Sequence, residues 1–399
     1  MSAQAQLRIT RLASQVGVHR AFQWLHLHQQ RLRAWQMEMI AIPAPPFGEA
    51  ARAEWFAQRF QELELENVEI DGEGNVLGEL GADPARPSVL LSAHLDTVFP
   101  AGTDTTPTEL EIGGRIVGPG TCDNGAGLTA LLAIVAALKH AGIVPASPIL
   151  FVANVGEEGQ GDLRGMRFLF ERGRFEGRIA AAVALEGAGT ATVVSRALGS
   201  RRYRVTICGP GGHSWSDAGA PNPIMLLSRG LAELDSLVLP EDPRTVLSAG
   251  QIAGGTSINS IPESATVLLD LRSTSGEQLL ALENELHRTF ELVVAKVSRG
   301  GSPVPKLKIE LIGDRPAGEL AEDAPLLRTL RAVDRHLGLR AEFRIGSTDA
   351  NLPISLGIQA VAISAGGTGG GIHTLAEWYD PTGREIALRR ILLTLLDLV

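Results

Sequence analysis

Three short runs restrict the fold of this chain more than any other feature. Ser88 to His94, Pro148 to Asn154 and Ala180 to Leu185 are of strand length and apolar almost throughout. A strand with water on one face alternates polar and apolar residues; a run without alternation is covered on both faces. Stretches with helical spacing separate them, notably Leu128 to His140. Buried strands alternating with helices predict an α/β layered domain with a largely parallel sheet. Ahead of them, Val18 to Ile40 and Glu49 to Leu63 have helical spacing, divided by the Pro-rich run Ile42 to Gly48.

The middle of the chain has another pattern. Arg202 to Cys208, Thr245 to Ile252, Ala265 to Leu271 and Lys306 to Ile312 read as strands, Asn222 to Leu237 and Gly276 to Val297 as helices. That β-α-β-β-α-β order is the split unit of a ferredoxin-like α+β domain. Ala324 to Leu337, Ala360 to Ser364 and Arg384 to Leu396 then resume the first style. The expected organisation is one domain over 1–200 and 313–399, with a smaller one, 201–312, inserted in it. A length of 399 residues suits two domains.

Charge narrows the partners. The formal net charge is −9, which argues against nucleic acid, whose phosphates need clustered Lys and Arg. Cys122 and Cys208 fit no disulfide framework and no Cys-x-x-Cys zinc pattern, so they read as buried thiols of a reducing compartment. Met1 to Gln15 has no apolar h-region, and the apolar stretch Leu128 to Leu138 is too short for a bilayer. The expectation is a cytoplasmic protein without a membrane partner.

Candidate chemistry collects at strand ends. His94 closes one apolar run, and Asp96, two residues on, shares its face in extended chain; a carboxylate there would fix the tautomer of a metal-binding histidine. Taken alone, the pair also reads as a polar strand end. Asp123 lies among glycines just before an apolar helix, and reads equally as a ligand or an N-cap. Glu157 and Glu158 follow a buried strand, where like charges repel unless a cation or proton intervenes. One could ligate a metal while the other moves a proton. Glu186 ends the third run, and His373 follows a Gly-rich loop. Two histidines and three acids suit a pair of zinc ions. No Gly-x-Ser-x-Gly elbow, P-loop or Gly-x-Gly-x-x-Gly fingerprint offers a competing chemistry.

Taken together, His94-Leu95-Asp96, Gly120 to Gly127, Glu157-Glu158, Glu186, Gly212-His213-Ser214, Asn259 with Ile261-Pro262, Asp270-Leu271-Arg272 and the Gly-rich loop to His373 follow a specific order. From about Ile40 onward the chain resembles the dinuclear zinc exopeptidases and deacylases, the family of peptidase T, glutamate carboxypeptidase, acetylornithine deacetylase and succinyl-diaminopimelate desuccinylase. Gly346 to Asn351 looks most like the peptidase T branch. The resemblance implies that Asp123 bridges two zincs, with His94 and Glu186 completing one and Glu158 and His373 the other. It implies Glu157 as general base and Asp96 as the support of His94. The inserted domain would be a lid and dimerisation domain. Its His213 would polarise the scissile carbonyl of a partner subunit, Asn259 and Arg272 would bind a substrate carboxylate, and Asp349 would shape the substrate pocket. The peptide bond after Asp123 would be cis. Many relatives carry Lys where this chain has Gly125. The first forty residues match no part of the pattern.

The expected activity is zinc-dependent hydrolysis of an amide bond, by an exopeptidase of the aminopeptidase or tripeptidase kind acting on short peptides. A deacylase of N-acyl amino acids is the alternative, since both substrates present an amide and a carboxylate. A catalytically silent binding protein is a third reading, against which the intact ligand set argues. Cobalt or manganese could occupy the same ligands.

Overall fold

The computed structural model describes residues 3–109, 114–298 and 304–399, and within these the chain forms two compact units, 1–197 with 319–399, and 198–318. Met1 and Ser2, the first residues of the stretch Met1 to Gln15 considered above, lie outside the described residues.

In the first unit, the N-terminal helices are α1 (Ala3–Ala13), α2 (Val16–Leu27), α3 (Gln29–Ile40) and α4 (Ala50–Glu62). They are followed by β1 (Glu66–Ile70), β2 (Val76–Leu80), β3 (Ser88–His94), α5 (Gly125–Ala141), β4 (Ile149–Asn154), β5 (Ile179–Leu185) and β6 (Thr192–Ala197). After the inserted unit come α6 (Pro325–Leu337), β7 (Glu342–Gly346), β8 (Gln359–Ile363) and α7 (Arg384–Leu398). The longer strands share one mixed sheet in the order β1-β2-β4-β3-β5-β8-β6, with β7 beside β6. The neighbours β4, β3, β5 and β8 run parallel to one another. Every residue of β3 and β4 is buried, in keeping with sequences that are apolar almost throughout.

Helix α5 accounts for the first forty residues. All of it except Lys139 and His140 is buried, and a helix apolar all round needs cover on every side. The sheet covers one side through β3, and α2, α3 and α7 pack on α5 as well. The expected helix over Val18 to Ile40 is broken at His28. There Nδ1 of His28 hydrogen-bonds the Trp24 carbonyl at 2.8 Å, and the two rings stack at 4.5 Å. Gln29 Nε2 takes the Leu25 carbonyl at 2.6 Å. These side chains satisfy the carbonyls that end a helix.

The second unit is a four-stranded antiparallel sheet in the order Thr245–Gly254, Ser264–Ser273, Gly199–Cys208, Lys306–Arg315, with helices Pro223–Asp235 and Gly276–Ser298 packed on it. It extends beyond the expected 201–312, over 198–318, because the edge strand Lys306–Arg315 pairs with the inner strand Gly199–Cys208 as far as Arg315 with Ser200, across a register shift between Leu311 and Gly313. Its core holds Tyr203, Leu227, Leu271 and Phe290. No described helix is long and apolar enough to cross a membrane.

Candidate metal centre

Strands β4, β3 and β5 end on one edge of the sheet, the edge where open α/β sheets bind ligands. His94 is the last residue of β3 and pairs with Asn154, the last of β4. Glu157 and Glu158 follow Asn154, and Glu186 follows Leu185 at the end of β5. Gly156 makes the turn between: its φ is 68°, and a Cβ there would lie 2.5 Å from Arg164 Cγ, so glycine is required twice over. Asp123 enters from the loop before α5. His373 sits in the connection between the paired strands Thr368–Gly370 and Trp378–Asp380.

These residues converge on Asp123. One of its oxygens lies 3.1 Å from His94 Nε2, and the other lies 3.1 Å from His373 Nε2. His94 Nε2 is 3.5 Å from Glu186 Oε1, and His373 Nε2 is 3.1 Å from Glu158 Oε1. The result is two groups, His94-Asp123-Glu186 and Asp123-Glu158-His373, each with one ligand atom per residue within 4.8 Å of the others. A third group of the same kind joins His94 to Glu157 and Glu158. Glu186 Oε2 is buried with no hydrogen-bond partner among the described residues. An orphaned carboxylate oxygen amid imidazole nitrogens and acids fits a divalent cation such as zinc.

Buried polar groups fix this arrangement from behind. The Asp96 carboxylate accepts the backbone N–H of Glu157 at 3.0 Å and of Glu158 at 2.7 Å. His94 Nδ1 bonds the Asp96 main-chain carbonyl at 3.0 Å, with the carboxylate farther away at 3.6 Å. Asp96 therefore holds the acidic pair by its side chain and His94 chiefly by its backbone. Arg52, fully buried, donates to the carbonyls of Ile42 and Leu95 and places its charge near Asp96. The N-cap of α5 is Asn124, not Asp123: its Oδ1 accepts from Gly127 N at 3.1 Å. The same side chain donates to the Leu185 carbonyl at 2.8 Å, tying the Asp123 loop to β5. The Asp123–Asn124 peptide is cis. With the cap supplied next door, the Asp123 carboxylate is left to the histidines.

Glu377 was not foreseen from the sequence. It is fully buried, and its carboxylate accepts N–H groups of Gly120 at 3.1 Å and of Cys122 and Asp123 at 2.8 Å. Gln36 of α3, also fully buried, donates to the Thr121 carbonyl at 2.8 Å. Asp349 is 1% exposed, behind the Glu157 loop, and accepts from Asn154 Nδ2 at 2.8 Å.

The electrostatics are those of an acidic cluster short of positive charge. Burial, reinforced by the charges of Glu157 and Asp123, pushes Glu158 up to about 8. Burial takes Glu186 up to about 7, with partial relief from His94. Burial and then the charge of Glu157 hold Asp349 well above the carboxylate range. Asp123 goes the other way: burial opposes its charge, but hydrogen bonds from His373 and His94 keep it well below that range. The bond to Asp123 and the charge of Glu158 outweigh burial and raise His373 to about 9. Burial of His94 is overcome by Asp123, Asp96 and Glu186, which hold it well above the imidazole range. A divalent cation among these groups would supply the positive charge that relieves the repulsion between the carboxylates. Cys122, buried beside Asp123, is pushed up to about 12 by burial and is no nucleophile. Cys208 is half-buried, less covered than expected, at the end of its strand.

In the second unit, His213 and Asn259 come together. Strand Gly212–His213 pairs with Ser260–Ile261, and Ser214 N donates to the Asn259 carbonyl at 3.1 Å. His213 is exposed, and its Nδ1 accepts backbone N–H groups of Trp215 at 3.2 Å and Ser216 at 3.3 Å. An accepting Nδ1 selects the tautomer with the proton on Nε2. Arg272 is elsewhere. It lies near the far end of Ser264–Ser273, eight residues beyond the end that adjoins Asn259, which is roughly 27 Å at about 3.4 Å per residue. Its Nε meets Asp270 at 2.6 Å. Asn259 and Arg272 of one chain are thus a strand's length apart and do not grip one carboxylate together.

The sequence profile of peptidase family M20/M25/M40 matches residues 90–397. A tripeptidase from Staphylococcus aureus subsp. aureus Mu50 has a similar structure, with a TM-score of 0.76 and 21% identity over 92% of this chain and 98% of that one. Aminopeptidase PepT from Bacillus cereus gives a TM-score of 0.74, at 21% identity and the same two coverages, 92% and 98%. YxeP of Bacillus subtilis, described as a dinuclear metal-binding peptidase, gives 0.70 at 17% identity, again over 92% and 98%.

Proposed function

The chain belongs to peptidase family M20/M25/M40, and from that premise we propose that it hydrolyses amide bonds of short peptides at a two-metal centre. His94 and Glu186 would hold one ion, Glu158 and His373 the other, and Asp123 both. The observation that carries this reading is Asp123 itself, with one oxygen 3.1 Å from each histidine. Two zinc ions there would supply Lewis acidity to the scissile carbonyl and to the attacking water.

The protein groups divide the remaining work. Glu157 accepts the proton of the attacking water and returns it to the leaving nitrogen as the C–N bond breaks. It is 6% exposed, and its backbone is pinned by Asp96, so its carboxylate is held at the site and shielded from bulk water. His213, with its proton on Nε2, is suited to donate to the developing oxyanion of a partner subunit in a homodimer. Arg272 would offer a planar fork to the substrate carboxylate; the separation within one chain supports a reading in which Asn259 and Arg272 serve different sites of that dimer. Asp349 supports Asn154 and the loop beyond it. Short peptides are favoured over N-acyl amino acids because the similar structures named above are a tripeptidase and an aminopeptidase.

The test is reconstitution with two equivalents of zinc, cobalt or manganese, then assay on di- and tripeptides beside acetylated and succinylated amino acids. Peptide hydrolysis that a chelator abolishes and metal restores is expected. Hydrolysis indifferent to chelation, or confined to the acylated amino acids, would refute the peptide reading.

A further inference from the structure

Pro45-Pro46-Phe47-Gly48 forms a tight turn, closed by Gly48 N donating to the Pro45 carbonyl at 2.8 Å. Phe47 holds its third position with φ 67°, where such turns take glycine or asparagine. A bulky residue in left-handed backbone is an outlier that surrounding structure must enforce. Nor is the ring there to be buried, since Phe47 is 66% exposed. Neither backbone preference nor core packing accounts for an aromatic at this position.

Its surroundings do. The Arg164 guanidinium lies 5.0 Å from the ring centroid, and Arg164 is fixed by Glu49 at 2.7 Å and Glu73 at 3.2 Å. Thus backed, the ring forms a wall of a cleft of about 500 Å³, whose other sides include Pro45, Val98, Pro100, Ala101 and Gly159. That volume lies within the range of small-molecule sites, about 300–1,000 Å³. No charged side chain lines the cleft among the described residues. Val98 is two residues beyond Asp96, and Gly159 directly follows Glu158. The cleft is therefore built from the same two loops, after β3 and β4, that carry the acidic residues of the centre.

We propose that this cleft is a substrate subsite for an apolar side chain adjoining the scissile amide, with Phe47 as the wall that sets the preference. The proposal rests on the two-metal amide hydrolase reading. A lining of proline, valine, alanine and an aromatic ring, with Gln160 as its one polar side chain among the described residues, gains from burying an alkyl group and offers no counter-charge to a charged one. The left-handed turn presents the ring to the cleft at a cost that a glycine would not incur.

The experiment uses the full metal-loaded chain and compares Leu-Gly-Gly, Gly-Leu-Gly and Gly-Gly-Leu with Gly-Gly-Gly. At one of the leucine positions kcat/KM should exceed that of triglycine about tenfold or more, given what one or a few carbons are worth in an apolar pocket. Phe47→Gly should bring that ratio most of the way to one while Tm holds or rises, because glycine takes this turn without strain. Val98→Asp should lower the ratio in the same direction by placing a charge in the cleft. No leucine preference in the native chain, or one unchanged in both variants, overturns the proposal. Should the native chain cleave no amide, calorimetry on Glu157→Ala protein with the three leucine peptides and triglycine separates the two ideas. Tighter binding of one leucine peptide, lost with Phe47→Gly, upholds the cleft although the hydrolase reading falls; equal binding of all four overturns it.

Discussion

Glu377→Gln tests how the bridging aspartate is held. The carboxylate of Glu377 takes three backbone N–H groups, from Gly120, Cys122 and Asp123. A glutamine of nearly the same shape has one acceptor oxygen. If that oxygen keeps Cys122 and Asp123, the NH₂ faces Gly120 N, donor against donor, in a place with no access to water. An N–H so stranded costs about 1–3 kcal/mol, and the two remaining bonds each lose about 1 kcal/mol of charge assistance. Against this, an amide escapes the burial and the repulsion by Asp123 that raise the pKa of Glu377. A net loss of about 2–4 kcal/mol remains, shared between the fold and the pose of Asp123. Metal affinity should fall roughly 10–100-fold, as for other groups that orient ligands, 1.4 kcal/mol being about tenfold. Competition with a chromophoric chelator measures the affinity, and thermal unfolding of the metal-free protein measures the rest. Unchanged affinity together with unchanged Tm would mean that the three N–H groups do not need this carboxylate. Lower Tm with unchanged affinity would confine Glu377 to the fold and remove it from the centre.

Other consequences can be checked independently. Glu157→Ala should keep both metals and lose turnover by roughly 10²-fold or more, while Glu158→Ala should lose one ion; metal analysis showing the reverse would exchange the two roles. Metal binding should release protons at pH 7 and strengthen as pH rises to about 9, since Glu186, Glu158 and His373 are pushed up to about 7, 8 and 9 without metal and must ionise or turn neutral to ligate. Calorimetry in two buffers of different ionisation enthalpy reads the protons, and binding independent of buffer would contradict the assignment. Arg272→Ala should raise KM for peptides with a free carboxylate far more than for their amides; equal effects would take Arg272 out of carboxylate recognition. Mixing His213→Ala chains with Glu157→Ala chains should restore part of the activity if His213 serves the partner's site, because one site of the mixed dimer is then intact; no recovery in a verified mixed dimer would place His213 in its own chain's site.

The residues proposed as ligands stand out in the sequence because a parallel sheet puts its polar groups at strand ends, and strand ends can be seen in a hydrophobic pattern. His94, Glu158 and Glu186 each stand at or just beyond a run that is apolar almost throughout, and their order in the chain needs no three-dimensional information. What could not be read is what holds them. Asp123 before an apolar helix has the local appearance of a cap, and only the structure shows that Asn124 does the capping. Glu377 stands four residues after His373 in an irregular loop, and its three donors lie more than 250 residues away. Gln36 reaches the same loop from a helix whose periodicity reveals only that one face is buried. These residues act by receiving or supplying single backbone hydrogen bonds, which leave no mark on periodicity, composition or spacing. The strands miss the same kind of information in reverse: β2 contains Gly78 and Glu79 within an otherwise apolar run and breaks the pattern, yet it is fully buried between β1 and β4. Phe47 stands between these cases. An aromatic between Pro-Pro and Gly is visible in the sequence, but only its positive φ, its exposure and the uncharged cleft beside it distinguish a binding wall from a residue that merely ends a loop. The chemistry of this chain is thus written locally, and its precision and its selectivity are written in long-range contacts; substitutions at Glu377 and Phe47 therefore separate the two more cleanly than substitutions at any ligand, each of which removes both at once.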